Sequence, residues 1–261
     1  MFDYHMHSRI SFDSKEEPAK MVEAAVKAGL LEICFTDHYD FNDLYKEKQD
    51  LFTLEDYNEA YLSLRSDKVK IRRGVEIGLT QWNGREIADF NERFNPDFVL
   101  GSVHYAGGFD PYCTEYWQQN GLDKAFENYL LQTLRCVQAQ DDFDVLGHIN
   151  YVCKSPNNPL KKPLYYSEYP DICDEIMKTV ASKGIGLEIN TSGVDRVGDF
   201  LPSLDYIKRF RELGGEIITV GSDAHNSERV GQHINGALSI AKEVFGYVCT
   251  FQNRKPIFHK L

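Results

Sequence analysis

The chain has 261 residues, 42% hydrophobic and 26% charged, with a formal net charge of −11. That is an ordinary globular balance on a chain long enough to bury a real core. The acidic excess disfavours a nucleic-acid track or an anionic-membrane surface, although bound cations would reverse the sign locally.

The first strand, Phe2-Asp3-Tyr4, runs into His5-Met6-His7. In extended backbone, residues i and i+2 face the same way, so both imidazoles are available to one cation. A polar loop carrying Arg9 and Asp13 follows, and Ser14 is expected to cap a helix from about Glu16 to Ala28, stopped by Gly29. The apolar run Leu31 to Phe35 reads as a buried strand ending at Thr36-Asp37-His38. Beyond a polar, aromatic loop (Tyr39 to Phe52) come a helix over 54–66 and an alternating strand, Val69 to Ile77, with Glu76 near its end.

A short helix is expected over 85–93, then a strand over 98–103 that stops at His104. A long loop over 105–120 precedes a strong helix over 122–140 and a strand over 143–147 that stops at His148. The next loop, 150–166, holds Lys154, Lys161 and Lys162. A helix over 170–183 leads to the strand 185–190, and the loop 191–201 carries Asp195 and Arg196. Pro202 opens a helix to about Leu213. The last core strand, 216–221, ends in Ser222-Asp223-Ala224-His225. A helix over 231–245 and a hairpin or irregular cap over 247–261 complete the chain.

Seven strands alternating with helices, without a linker or a repeat, predict one parallel α/β domain over 1–261. A barrel is preferred to an open doubly wound sheet. None of the six cysteines forms a CxxC pair, which fits buried thiols in a reducing compartment. No apolar run approaches the ~20 residues of a membrane span. A cytoplasmic protein without membrane or nucleic-acid partners is expected.

Six of the eight histidines, with Asp37, Glu76 and Asp223, fall at strand C-termini. In a parallel barrel these ends converge on one face, where active sites are built. So many imidazoles and carboxylates crowded together without a cation would be poorly satisfied, which argues for metal. His233 and His259 lie apart and read as structural.

The segments His5-Met-His7, Thr36-Asp37-His38, Gly74-Val-Glu76, Ser102-Val-His104, Gly147-His148 and Ser222-Asp223-Ala224-His225 occur in an order that resembles the polymerase-and-histidinol-phosphatase (PHP) family of metal-dependent phosphoesterases. The resemblance implies a distorted (βα)7 barrel with two or three divalent ions (Zn, Fe or Mn) at the strand ends. It implies one ion on His5, His7, Glu76 and Asp223. Glu76 would bridge to a second ion on His104 and His148, and a third would sit on Asp13, His38 and His225. Asp37 is expected to orient a histidine rather than to ligate.

The expected chemistry is attack on phosphorus by a hydroxide bridging the Glu76-linked pair, with Asp223 or His225 supplying the leaving group's proton. Arg196, with Arg9 and Lys161, is expected to grip the phosphate. A free-standing chain of this length resembles the histidinol-phosphate phosphatases of histidine biosynthesis. Acidic loop residues such as Asp40, Asp43, Asp110 or Glu115 would then receive a substrate ammonium group. Alternatives are another small phosphate ester, a nuclease, or a non-catalytic metal-binding barrel.

Overall fold

Strands that read as apolar runs form a parallel sheet covered by helices, in a computed structural model that describes residues 1–41, 51–122 and 124–261. In chain order these are β1 (Phe2–Asp3), α1 (Pro18–Lys27), β2 (Glu32–Phe35), β3 (His38–Asp40), α2 (Leu54–Tyr61), β4 (Lys70–Gly78), α3 (Gly84–Phe94), β5 (Phe98–Ser102), α4 (Thr114–Asn120) and α5 (Ala125–Ala139). There follow β6 (Val145–Leu146), α6 (Pro170–Ser182), β7 (Gly186–Asn190), α7 (Val194–Val197), α8 (Leu204–Glu212), β8 (Ile218–Gly221), α9 (Ile234–Val244) and a hairpin of β9 (Tyr247–Gln252) and β10 (Lys255–Lys260).

The sheet order is β1-β2-β4-β5-β6-β7-β8, with β3 also paired to β4. Hydrogen bonds from Tyr4 N to Val220 O (2.9 Å), Asp223 N to His5 O (2.8 Å) and His7 N to Ala224 O (2.8 Å) join the last strand back to the first. These contacts distinguish a nearly closed barrel from the open sheet. The hairpin plugs the far end: Phe251 N donates to the Tyr4 hydroxyl at 2.9 Å, and Phe251 packs on Phe98 at 4.9 Å between ring centres.

Several boundaries differ from the sequence expectation, each for a local reason. Ser14 is not a helix cap, because its hydroxyl donates to His225 O at 2.9 Å; the helix begins four residues later at Pro18. His38 opens a short strand rather than a loop, in register with Glu76. The aromatic loop over 105–120 contains α4, which buries Tyr116 and Trp117. His233 is not inside the last helix but caps it, at φ 58°, with Nε2 3.0 Å from Asp195. His259 lies in the hairpin, its ring tilted against Phe2 at 4.5 Å between ring centres.

Two glycines let the strand ends come together. A Cβ on Gly221 would lie 2.3 Å from the His5 Cβ and 2.4 Å from Glu188 Oε1. A Cβ on Gly78 would lie 2.4 Å from Asp40 Oδ1. A larger residue at 221 would collide with the His5 Cβ, and one at 78 would push the Asp40 carboxylate from its place.

Candidate metal centre

Glu76 stands near the C-terminal end of β4, fully buried, with its carboxylate at the centre of five imidazoles. Oε2 lies 3.2 Å from His5 Nε2, 3.4 Å from His7 Nε2 and 3.1 Å from His38 Nδ1. Oε1 lies 3.2 Å from His104 Nε2 and 2.9 Å from His148 Nε2. The strand ends aim these groups at one point, as the parallel topology requires.

His5 and His7 meet nose to nose, with their Nε2 atoms 3.1 Å apart. Asp223 Oδ1 completes the group, 3.6 Å from His5 Nε2 and 3.5 Å from His7 Nε2. A cation held at about 2.0–2.1 Å by four tetrahedral ligands sets its donor atoms about 3.3–3.4 Å apart. The observed spacings bracket that value. A further group lies beside it, where Asp13 Oδ2 is 2.9 Å from His225 Nε2 and 3.6 Å from His38 Nε2. His7 stacks between the rings of His38 and His225, at 4.2 and 4.1 Å.

Among the described residues, Glu76 Oε2 and His104 Nε2 are buried without a hydrogen-bond partner. Orphaned polar atoms at the centre of a cluster of nitrogen and oxygen donors are what a metal would satisfy. The charge balance agrees. Burial would push His5 down, but Glu188, Glu76 and Asp223 hold its pKa well above the usual imidazole range. His104 likewise rises against burial to about 10, drawn up by Asp40 and Glu76. His7 falls well below the usual range, through burial and the nearby His225 and His38, and burial also lowers His148. Some rings are thus drawn toward taking a proton while their neighbours stay neutral, so the carboxylates attract positive charge that the protein only partly supplies.

Two supporting carboxylates hold rings directly, and a third stands behind them. Glu188 accepts from His5 Nδ1 at 2.7 Å and from His148 N at 2.9 Å. Asp40 meets His104 Nδ1 at 2.7 Å, so it serves the cluster rather than standing free for a substrate amine. Asp37 accepts from Ser8 N, Ser11 Oγ and the Tyr61 hydroxyl, and is not a member of the donor groups. Asp40→Ala is expected to weaken Zn2+ binding by about 10- to 100-fold, measured against a chromophoric chelator; unchanged affinity would remove its role.

The cluster floors a cavity of about 470 Å³, lined among others by Phe12, Asp110, Tyr112, Lys154, Arg196 and Arg229. Of the three cations expected at the phosphate, only Arg196 lines it. Arg9 is paired with Glu17 at 2.9 Å on the surface. Lys161 is exposed and outside the cavity lining, and its neighbour Lys162 pairs with Glu168. Lys154 takes their place: it is buried, contacts Asp223 Oδ2, and lies 3.2 Å from Ser192 Oγ. Asp110 lines the cavity, whereas Glu115 is exposed in the first turn of α4 and Asp43 lies outside the described residues.

Residues 3–192 match the PHP domain family. The chain belongs to it. A histidinol-phosphatase of Lactococcus lactis is 36% identical over 260 residues, covering 97% of this chain and 95% of the relative. This PHP domain also superposes on the crystal structure of a histidinol phosphate phosphatase from Lactococcus lactis complexed with Zn, L-histidinol and phosphate. The TM-score is 0.86, with 32% identity and 98% of each chain covered. A Listeria monocytogenes structure at 17% identity, covering 90% of this chain and 99% of its own, shares the fold with a TM-score of 0.73. The barrel preferred from the strand count, and the distorted (βα)7 form that the resemblance implies, are therefore the observed fold.

Glu188 and Lys154 were not singled out by the sequence reading. Glu188 carried a usable signal: a carboxylate inside the strand Gly-Leu-Glu-Ile-Asn, on the same face as Asn190. Lys154 carried none beyond its place in a loop at the active end.

Proposed function

We propose that the protein is a metal-dependent phosphomonoesterase that hydrolyses L-histidinol phosphate to L-histidinol and phosphate. The observation that carries this reading is the Glu76-centred donor cluster at the floor of a cavity lined by Arg196, Arg229 and Lys154. The Lactococcus lactis complex with Zn, L-histidinol and phosphate supports the choice of substrate.

Two or three divalent ions (Zn, Fe or Mn) fit the donors present. His5, His7, Glu76 and Asp223 would hold one, Glu76, His104 and His148 a second, and Asp13, His38 and His225 a third. When bound, they supply positive charge to the phosphoryl oxygens and make water a nucleophile at neutral pH.

Arg196 and Arg229 grip the phosphate from the rim, where a guanidinium matches two oxygens at once. Asp223 takes the proton of the attacking water and passes it to the leaving alcohol oxygen, so the proton is conserved through the step. Lys154 and His5, acting against burial, hold Asp223 well below the usual carboxylate range, so it enters the step ionised. His225 turns its Nε2 to Asp13 instead, which leaves Asp223 as the proton carrier. Asp110 is the acidic loop residue placed to meet the substrate's ammonium group. Six free thiols suit a reducing cytoplasm. No described helix is long and apolar enough to cross a membrane.

The test is phosphate release from a panel of monoesters by protein loaded with Zn2+ or Mn2+, before and after chelation. A preference of at least about 10²-fold in kcat/KM for histidinol phosphate, about 2.7 kcal/mol, is expected. Chelation is expected to abolish turnover and readdition to restore it. Flat turnover across the panel would overturn the substrate, and chelator-resistant turnover would overturn the metal dependence.

A further inference from the structure

Each ligating histidine must present one ring nitrogen to the cluster, and the other must be told whether to carry a proton. For His5 and His104 a carboxylate does this directly. For His7 the partner is a hydroxyl, which by itself settles nothing, since a hydroxyl both donates and accepts.

The surrounding hydrogen bonds resolve it. Ser11 Oγ lies 3.0 Å from His7 Nδ1, 3.0 Å from Asp37 Oδ1 and 3.0 Å from the backbone N of His38. It has one hydrogen and two lone pairs. The His38 N–H can only donate, so it takes one lone pair. Asp37 accepts from Ser8 N at 2.7 Å on Oδ1 and from the Tyr61 hydroxyl on Oδ2, as an acceptor-only carboxylate does, so toward Ser11 its Oδ1 accepts a second time. The Ser11 hydrogen therefore goes to Asp37. The one remaining lone pair faces His7 Nδ1, which must carry the proton.

The far end of Asp37 is closed in the same way. Tyr61 on α2 donates to Asp37 Oδ2, and Ser8 Oγ lies against the Tyr61 hydroxyl while accepting from Ile10 N at 3.2 Å. Ser11, Asp37 and Tyr61 are all buried, so water does not compete for these positions. Reversing the Tyr61–Asp37 bond, with the proton on Asp37 Oδ2, leaves the bonds at Ser11 unchanged.

We propose that Ser11, held by Asp37 and Tyr61, is a positioning residue that fixes His7 in its Nδ1–H tautomer and so turns the Nε2 lone pair onto the Glu76–Asp223 group. Ser11 also holds the backbone of His38, and it lies two residues before Asp13. The same hydroxyl therefore ties the Asp13–His38–His225 group to the first one. The functional consequence rests on the metal-dependent reading above, but the tautomer itself does not.

The experiment combines imidazole 1H–15N correlation spectra with Zn2+ competition, on full-length protein with and without Zn2+. In wild type, the His7 ring is expected to be protonated on Nδ1, its signal identified by its change in Ser11→Ala. Ser11→Ala is expected to weaken Zn2+ binding by about 10- to 100-fold, and Ser11→Thr to restore it. Asp37→Asn is expected to lose less Zn2+ affinity than Asp37→Ala, because its amide oxygen still accepts from Ser8 N and Ser11 while its amide N–H donates to Tyr61. Asp37→Ala is expected to behave like Ser11→Ala. A His7 ring protonated on Nε2 in the metal-free protein, or equal losses in Ser11→Ala and Ser11→Thr, would overturn the proposal. Should Ser11→Ala fail to fold, the Asn and Ala variants of Asp37 decide: equal losses in both would overturn it. Wild type that binds no Zn2+ would instead sink the metal-dependent reading, and the tautomer in that protein would still judge Ser11.

Discussion

Glu76→Gln is expected to lower kcat/KM for phosphomonoester hydrolysis by at least about 10⁴-fold, about 5.4 kcal/mol of transition-state stabilisation. Gln has nearly the same shape, so the core around β4 has little reason to repack. What changes is the donor set. The two oxygens of Glu76 are divided between His5, His7 and His38 on one side and His104 and His148 on the other. An amide places an N–H₂ group on one of those sides, where it offers a cation no lone pair and occupies the ring lone pairs that would hold one. It also removes the negative charge that two cations would share. Against burial, His5, His38 and His104 hold Glu76 well below the usual carboxylate range, so its ionised form is the one the site is built around. Metal analysis is the check: at least one ion per chain is expected to be lost. A variant with its full metal content and activity within about tenfold of wild type would show that Glu76 is not the bridge.

What the sequence revealed and what it hid divide along a physical line. His5, His7, His104 and His148 were legible because their chemistry is in the residue type and their placement follows from strand ends. Both are local properties. The groups that orient them are not local. Glu188 acts on His5 across 183 residues, Asp40 on His104 across 64, and Lys154 on Asp223 across 69. Nothing in the chain near Asp40 distinguishes a buried carboxylate from a solvated one in a polar loop, so its part at His104 had to wait for the register of β3 on β4. Arg9 and Lys161 failed for the complementary reason. A basic residue on an active-end loop is equally able to turn outward, and Arg9 turns to Glu17. The seven-strand alternation was readable and favoured a barrel, but the particular bonds that close it, between residues 4–7 and 220–224, were not, because they depend on curvature that no single strand encodes.

Asp223→Asn is expected to cut kcat for histidinol phosphate by about 10³-fold, about 4 kcal/mol, with a much smaller change in KM. The substitution is tolerable to the backbone. Asp223 sits at φ 55°, a left-handed conformation that Asn adopts as readily as Asp. The loss comes from the two faces of its carboxylate. Oδ1 turns to the ring nitrogens of His5 and His7, while Oδ2 takes Lys154, with Ser192 Oγ at 3.1 Å and Asn190 Nδ2 at 3.4 Å. An amide nitrogen on the second face would point its hydrogens at the Lys154 ammonium and the Asn190 amide N–H, both donors, and on the first face it would occupy the ring lone pairs. In neither position can it receive the proton of an attacking water. Lys154, buried and held above its ordinary value chiefly by Asp223 against the cost of burial, loses the anion that keeps it charged. The decisive measurement compares leaving groups. A nitrophenolate departs with little need of a proton, whereas the histidinol alkoxide needs one. The Asp223→Asn deficit is therefore expected to shrink by at least about tenfold on the aryl ester, with metal content retained. An equal deficit on both esters would assign Asp223 to metal binding alone and remove it as the proton carrier.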